Sequence, residues 1–266
     1  MNGSRVITRK SPADFEKMKV AGACVAAMHA AVRDACVPGV STRDLDAVAR
    51  DVLEQHGCRS SFLGYGGPSN PFPGVICTSP NSVIVHGIPS DHILREGDII
   101  SIDAGAIFEG WHGDAAFTMA IGEVPAEVQN LLDVTERALW AGLEQAKAGS
   151  RLGDVGSAIE GVAEPHGIGV VRDYVGHGIG RQMHEAPSVP NYGRPGKGLR
   201  IKKGMAFAIE PMFNLGVESS SILDDDWTVV TDDGKWSAHF EHTVLITDEG
   251  SIVSTLPEPT LVRDAS

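Results

Sequence analysis

The chain is 266 residues long with a formal net charge of −13, enough to bury a substantial core as one large domain or two small ones. At 42% hydrophobic and 21% charged residues, it has the composition of an ordinary soluble globular protein. The acid excess argues against nucleic-acid binding, no apolar run could span a bilayer, and the start MNGSRVITRK lacks the apolar stretch of a secretory signal. Cys24, Cys36, Cys58 and Cys77 form no CxxC pair, which points to free thiols in a reducing compartment and a cytoplasmic location.

Residues 1–10 read as a flexible tail made locally positive by Arg5, Arg9 and Lys10. Ser11-Pro12 then opens a helix, with Ser as N-cap, Pro at the first position and Asp14 in the first turn. Phe15, Met18, Gly22, Val25 and Val32 recur at helical spacing and predict one buried face; Pro38-Gly39 stops the run. A second helix is expected from about Ser41 to His56, ended by Gly57, with Leu45, Val48, Ala49, Val52 and Leu53 inward. A Gly/Pro/Ser-rich loop over 59–74 is long for a compact domain, and loops of that length are often functional. Strands are expected at 75–78, 83–86, 98–103 and 114–121.

The scheme then restarts, with helices expected over 125–148 and 149–167. Gly39 and Gly57 match Gly149 and Gly167 at an offset of 110 (149 − 39, 167 − 57), and Asp44, Glu54 and His56 meet Asp154, Glu164 and His166 at the same offset. REGDIISID ending at Asp103 resembles KKGMAFAIE ending at Glu210, and HGD ending at Asp114 resembles HFE ending at Glu241. The pattern predicts a single α/β (α+β) domain over 11–255, with pseudo-twofold halves of about 11–122 and 123–255. An antiparallel sheet would be covered by two helix pairs, and 256–266 would form a C-terminal tail. TDDG (231–234) reads as a hairpin turn and Asp224–Asp226 as a solvated turn.

The repeat singles out four acids. Asp103 and Asp114 sit in apolar strand contexts joined by a Gly-containing turn, where they could face each other across a ladder. On that stretch alone, two strand-end acids reaching water explain the pattern equally well. Glu210 and Glu241 occupy the corresponding places in the second half, and no Lys or Arg stands beside any of the four in sequence. Carboxylates brought to one centre repel unless a metal or a shared proton intervenes. A histidine of YVGHGIGRQMHEAP, His177 foremost, would complete an oxygen-rich set with one nitrogen, suited to two ions of Mn, Fe(II), Co or, less readily, Zn.

In these residues the chain resembles the type I methionine aminopeptidases. VHGIP (85–89), SIDAGA (101–106), GWHGDAA (110–116), GHGIGRQMHEAP (176–187), GMAFAIEPM (204–212) and FEHTVLIT (240–247) are that family's blocks in order, covering roughly residues 11–255. The resemblance implies the pita-bread fold and a cytoplasmic monomer. It further implies removal of methionine from nascent polypeptide N-termini, near the ribosome, when the second residue is small. By the same resemblance two divalent ions would be bridged by Asp114 and Glu241, with Asp103 holding one and His177 and Glu210 the other. His86, His184 and Glu210 would be catalytic, His86 also contacting substrate. Phe62, Tyr65, Cys77, Met183 and Trp227 would line the methionine pocket. The chain departs from the family where YGGPSNPFPGVIC lacks the usual second tyrosine, and Phe72, between Pro71 and Pro73, is expected to replace that ring at the pocket rim. The competing readings are a proline-directed peptidase of the same fold, usually carrying an added N-terminal domain, and a pita-bread binding module that has lost its metals.

Overall fold

Ser11 and Ser41 start the first two helices by the same device. In each, the serine Oγ accepts an N–H three residues on while that residue's aspartate, Asp14 or Asp44, accepts the serine N–H. In the computed structural model, which describes residues 6–262, helix α1 runs Pro12–Ala35 and α2 runs Thr42–Gln55. Short strands β1 (Arg59–Ser60), β2 (Ile76–Pro80) and β3 (Val83–Val85) precede a long hairpin of β4 (Ile99–Phe108) and β5 (Trp111–Ala120). The second half repeats this with α3 (Ala126–Gln145) and α4 (Leu152–Ala163). It continues through β6 (Gly169–Val170), β7 (Gly176–Gly178), β8 (Glu185–Val189), β9 (Ala206–Ile209), β10 (Met212–Asn214), β11 (Ser220–Ile222) and β12 (Val229–Thr231). The chain closes with β13 (Ser237–His239), β14 (Glu241–Ile246), β15 (Ser251–Val253) and β16 (Thr260–Val262). No described helix is long and apolar enough to cross a membrane.

The spine of the main sheet is β1-β4-β5-β14-β9-β7-β8, antiparallel throughout, with β2 on β4 and β15–β16 on β14. Two three-stranded sheets, β13-β10-β6 and β11-β12-β3, flank it. The helix pairs α1·α2 and α3·α4 pack within themselves, and α1 and α3 lie on the main sheet. This is the pita-bread architecture. The repeat has a physical basis: Asp154 accepts the Arg151 N–H at 2.7 Å as Asp44 does that of Ser41. Gly57 (φ 63°) and Gly167 (φ 64°) both take the left-handed conformation that ends a helix.

Several expectations are corrected. The β4–β5 hairpin is longer than its apolar runs, because Glu109 (φ 46°) and Gly110 (φ 79°) make a tight two-residue turn. Thr231–Gly234 turns, with Gly234 N–H donating to the Thr231 carbonyl, but makes no hairpin, because β12 and β13 pair with different partners. Asp224–Asp226 caps the β11–β12 hairpin in solvent, as expected. Residues 1–5 and 263–266, both assigned to tails, lie outside the described residues. Thr8 and Lys10 are not loose: Thr8 Oγ1 and Lys10 Nζ donate to Glu185 Oε2, the lysine at 2.9 Å and buried. At the other end Thr260–Val262 adds an edge strand to β15, so the chain stays in the sheet past 255.

Register brings the acids together. Asp103 pairs with Ala116, which pairs with Glu241, so both acids lie on one face of adjacent rows. Asp114 pairs with Gly105, two residues along the same face; the two aspartates are diagonal neighbours rather than directly opposed. His177 pairs with Ala208, Ala208 with Thr243, and Thr243 stands two residues from Glu241, which puts the imidazole on that face too. The Asp114 row is pinned by Thr243, whose Oγ1 accepts the Asp114 N–H (3.0 Å) and donates to its carbonyl (2.8 Å).

The opposite face of β5 is held by α1 at backbone distance. A Cβ on Gly113 would come 2.8 Å from Gly22 N, and one on Gly22 would come 2.1 Å from the Ser254 carbonyl oxygen. The first contact is α1 against β5 and the second is α1 against the backbone that follows β15, and neither backbone can give way locally. Gly22→Ala is therefore expected to destabilise the fold by about 1–3 kcal/mol or more, the range for overpacking a tight core. Urea unfolding of the two proteins measures it; an unchanged midpoint would show that α1 can shift away from the Ser254 backbone freely.

Candidate metal centre

The face just described forms the floor of a cavity of about 610 Å³, partly open to solvent. Every residue singled out from the sequence lines it: Asp103, Asp114, His177, Glu210 and Glu241; His86 and His184; Phe62, Tyr65, Cys77, Met183 and Trp227. Ligand atoms of Asp114, His177 and Glu241 lie within 4.8 Å of one another. His177 Nε2 is 3.5 Å from Glu210 Oε1. Asp103 and Asp114 lie close enough across the ladder for each to perturb the other's ionisation.

Burial and mutual repulsion set the electrostatics. Desolvation pushes Asp103 up to about 7. Asp114, Glu210 and Glu241 are driven well above the carboxylate range, first by desolvation and then by one another's charge. Asp103 Oδ1, Asp114 Oδ1 and Glu241 Oε1 are buried and have no hydrogen-bond partner. Burial holds His177 neutral, down to about 3, and its Nδ1 lies 2.9 Å from the Gly178 carbonyl. Nδ1–H donating there leaves the Nε2 lone pair facing the acids. Partnerless carboxylate oxygens around one imidazole lone pair form a donor set that fits divalent cations, and no Lys or Arg lines the cavity.

The two remaining histidines are placed by different means. His86 follows β3 in a left-handed backbone (φ 60°), rare for a residue with a side chain, which turns its ring into the cavity against Tyr174 and Trp227. Next to it, a Cβ on Gly87 would sit 2.1 Å from the Thr78 carbonyl oxygen, so β2 and this turn cross in backbone contact. His184 stacks at 4.2 Å between ring centroids on His177, and its Nδ1 lies 2.6 Å from the Tyr65 hydroxyl. When Tyr65 donates, His184 carries its proton on Nε2.

The apolar wall joins Phe62, Phe72, Cys77 and Met183 in one buried cluster, with Ile88 and Trp227 against it. Cys77 pairs with Asp103 and shares its face, which sets a thiol beside the acids; burial keeps that thiol protonated. Phe72 is only 2% exposed and edge-on to Phe62 and Trp227, so it forms the inner wall rather than the rim. The loop that carries it is compact because Gly64 N–H donates to the Phe72 carbonyl and Phe72 N–H to that of Tyr65. Sequence reasoning passed over two lining residues, Val85 and His239. His239 had a signal, since it occupies in HFE the place of His112 in HGD. His112 itself is buried, its Nδ1 2.9 Å from Ser61 Oγ.

Comparison with known proteins agrees with this geometry. The model of metallopeptidase family M24 matches residues 16–248. A methionine aminopeptidase of Clostridium acetobutylicum is 48% identical over 95% of this chain and 100% of its own length. A methionine aminopeptidase 1 of Bacillus subtilis is 46% identical over 94% and 99%. The crystal structure of a methionine aminopeptidase from Thermotoga maritima superposes with a TM-score of 0.91 at 42% identity, covering 94% of this chain and 100% of that one. The chain belongs to metallopeptidase family M24 and, within it, to the methionine aminopeptidases.

Proposed function

We propose that this chain is a metal-dependent aminopeptidase that hydrolyses the peptide bond after an N-terminal methionine. Two divalent cations would be held by Asp103, Asp114, His177, Glu210 and Glu241. The observation that carries the reading is the buried carboxylate oxygens without partners, gathered with a neutral imidazole at the floor of a cavity whose wall is aromatic and sulfur-bearing. A soft, polarisable wall of that kind suits a flexible thioether. Such cations polarise a scissile carbonyl and make water acidic enough to attack near neutral pH.

The chain's own residues supply the rest. Glu210, on the cavity floor, accepts a proton from the attacking water and returns it to the leaving amine. His184, oriented through Tyr65, presents Nε2–H to the oxygen that gains charge in the transition state. His86, neutral with burial holding it near about 4, faces the scissile amide nitrogen. A small second residue is favoured because a large one would clash with this crowded floor, and steric exclusion discriminates more sharply than a lost contact. Substrates would be nascent chains near the ribosome in the cytoplasm, which four buried free thiols suit, and the working form would be a monomer. A metal-free role is disfavoured by the complete donor set, and a proline-directed one by the relatives named above.

Chelation is expected to abolish turnover of Met-Ala-Ser-type peptides, and Mn, Co, Fe(II) or Zn to restore it to differing degrees. Asp114→Asn should abolish metal uptake. His184→Ala should keep the metals and lower kcat by about 10²–10³, the usual loss for one oxyanion donor. A His184→Ala protein stripped of metal would show that ligand and catalyst are interchanged here.

The pocket wall gives a second expectation. Phe72→Ala should raise KM for Met-peptides by about tenfold, in line with the 1–3 kcal/mol of a buried apolar contact. Unaltered constants would remove Phe72 from the pocket.

Stability against pH gives a third. The acids' pKa values are raised in the folded, metal-free protein, so it holds protons that the unfolded chain releases. Its stability must then fall as pH rises through the folded value of Asp103, about 7. At about pH 6.5 the buried histidines are neutral in the fold but about half protonated in the unfolded chain, so they oppose this until about pH 7.5. Urea midpoints of metal-free protein at about pH 7.5 and 8.5 should therefore decline, and metal should flatten the dependence by displacing those protons. A midpoint that rises over this interval would mean the acids are already ionised in the fold.

A further inference from the structure

Strand β13 ends on a residue that no step above uses. His239 is 2% exposed, lines the metal cavity, and has a buried Nε2 with no hydrogen-bond partner. That nitrogen lies 3.7 Å from Glu210 Oε2 and 4.0 Å from Glu241 Oε2, while the other oxygen of Glu210 lies 3.5 Å from His177 Nε2. The Glu210 carboxylate thus has an imidazole off each oxygen.

The mounting of His239 is rigid. Its N–H donates to Thr118 Oγ1 (2.9 Å), the same hydroxyl donates to its carbonyl (2.8 Å), and Ser101 Oγ lies 2.8 Å behind that hydroxyl. It also pairs in register with Met212, two residues beyond Glu210. Two strands that fix the backbone of His239 therefore fix its distance from Glu210. A buried imidazole nitrogen left unpaired is costly, so a position this constrained calls for a partner. Its Nε2 faces both glutamates, so the ring can offer them a hydrogen bond.

We infer that His239 is a positioning residue for Glu210: its Nε2–H donates to Glu210 Oε2 and leaves Oε1, the oxygen on the His177 side, free to ligate a cation. This deepens the ligand assignment proposed above and rests on it. The hydrogen bond needs a closure of roughly 0.7 Å, to the usual 3.0 Å. Held in this way, Glu210 keeps one orientation, with Oε1 towards His177 and Oε2 towards His239. Hydrogen-bond partners of metal-ligating carboxylates are typically worth 10–100-fold in metal affinity or activity.

The test compares His239→Ala and His239→Gln in the full chain, with Mn(II) or Co(II) titrated calorimetrically into metal-free protein and with steady-state kinetics. Ala is expected to weaken one of two metal equivalents by about 10–100-fold and to lower kcat more than it raises KM. Gln keeps an N–H donor but is a poor metal ligand, so it should restore most of both. The inference is overturned if Ala binds both equivalents as the wild type does with unchanged kcat. It is overturned equally if Gln is no better than Ala, which would make the imidazole a direct ligand. Failure of the ligand assignment itself looks different, because the wild type would then take up no metal, and the role of His239 would fall with it.

Discussion

Four carboxylates converge on one buried cavity floor, and their mutual repulsion is the constraint that the rest of the molecule answers. Leaving even one of them ionised and uncompensated in such a place costs several kcal/mol. Without a cation the fold meets that cost by holding protons, as the raised proton affinities of Asp103, Asp114, Glu210 and Glu241 imply. The centre is thus a poor carboxylate cluster and a good cation site for the same reason.

Building such a centre requires that rival solutions be shut out. Were the strands free to twist, the acids would turn to water. Thr243 locks the Asp114 row to β14, Gly22 and Gly113 bring α1 flat onto the back of β5, and the cavity floor is left no slack. Gly105 has a related duty, since a Cβ there would come 2.7 Å from Phe62 and Ser61; its absence lets an aromatic wall stand beside Asp114. The duplicated plan makes this economical. Each half delivers two acids from comparable strands, and the pseudo-twofold brings them to one point.

What could be read from the residues divides along physical lines. Helix starts at Ser11 and Ser41 and stops at Gly57 and Gly167 were legible because capping is local chemistry. The acids were legible because a carboxylate in an apolar strand is conspicuous and the repeat doubled the signal. Register was not: the diagonal placing of Asp103 and Asp114 depends on a two-residue turn at Glu109-Gly110 that apolar patterning does not locate. The different partners of β12 and β13 were hidden for a similar reason, because a turn signal says that a chain bends and not what it pairs with afterwards. His239 escaped because a histidine in a strand has many uses, and only its orphaned nitrogen between two glutamates narrows them. The bond from Tyr65 to His184 joins positions 119 residues apart and leaves no local trace.

The ion pair of Lys10 and Glu185 has a consequence for how the chain can be handled and regulated. It spans 175 residues, with the lysine and glutamate side chains only 2% and 8% exposed. The other oxygen of Glu185 accepts the N–H groups of Arg181 and Gln182, so the same carboxylate shapes the loop that carries Met183 and His184. The opening residues are therefore a buttress for the reactive loop and not a spacer ahead of it. A protease that clipped the chain just before α1 would strand a buried carboxylate beside His184 while leaving the proposed metal ligands untouched.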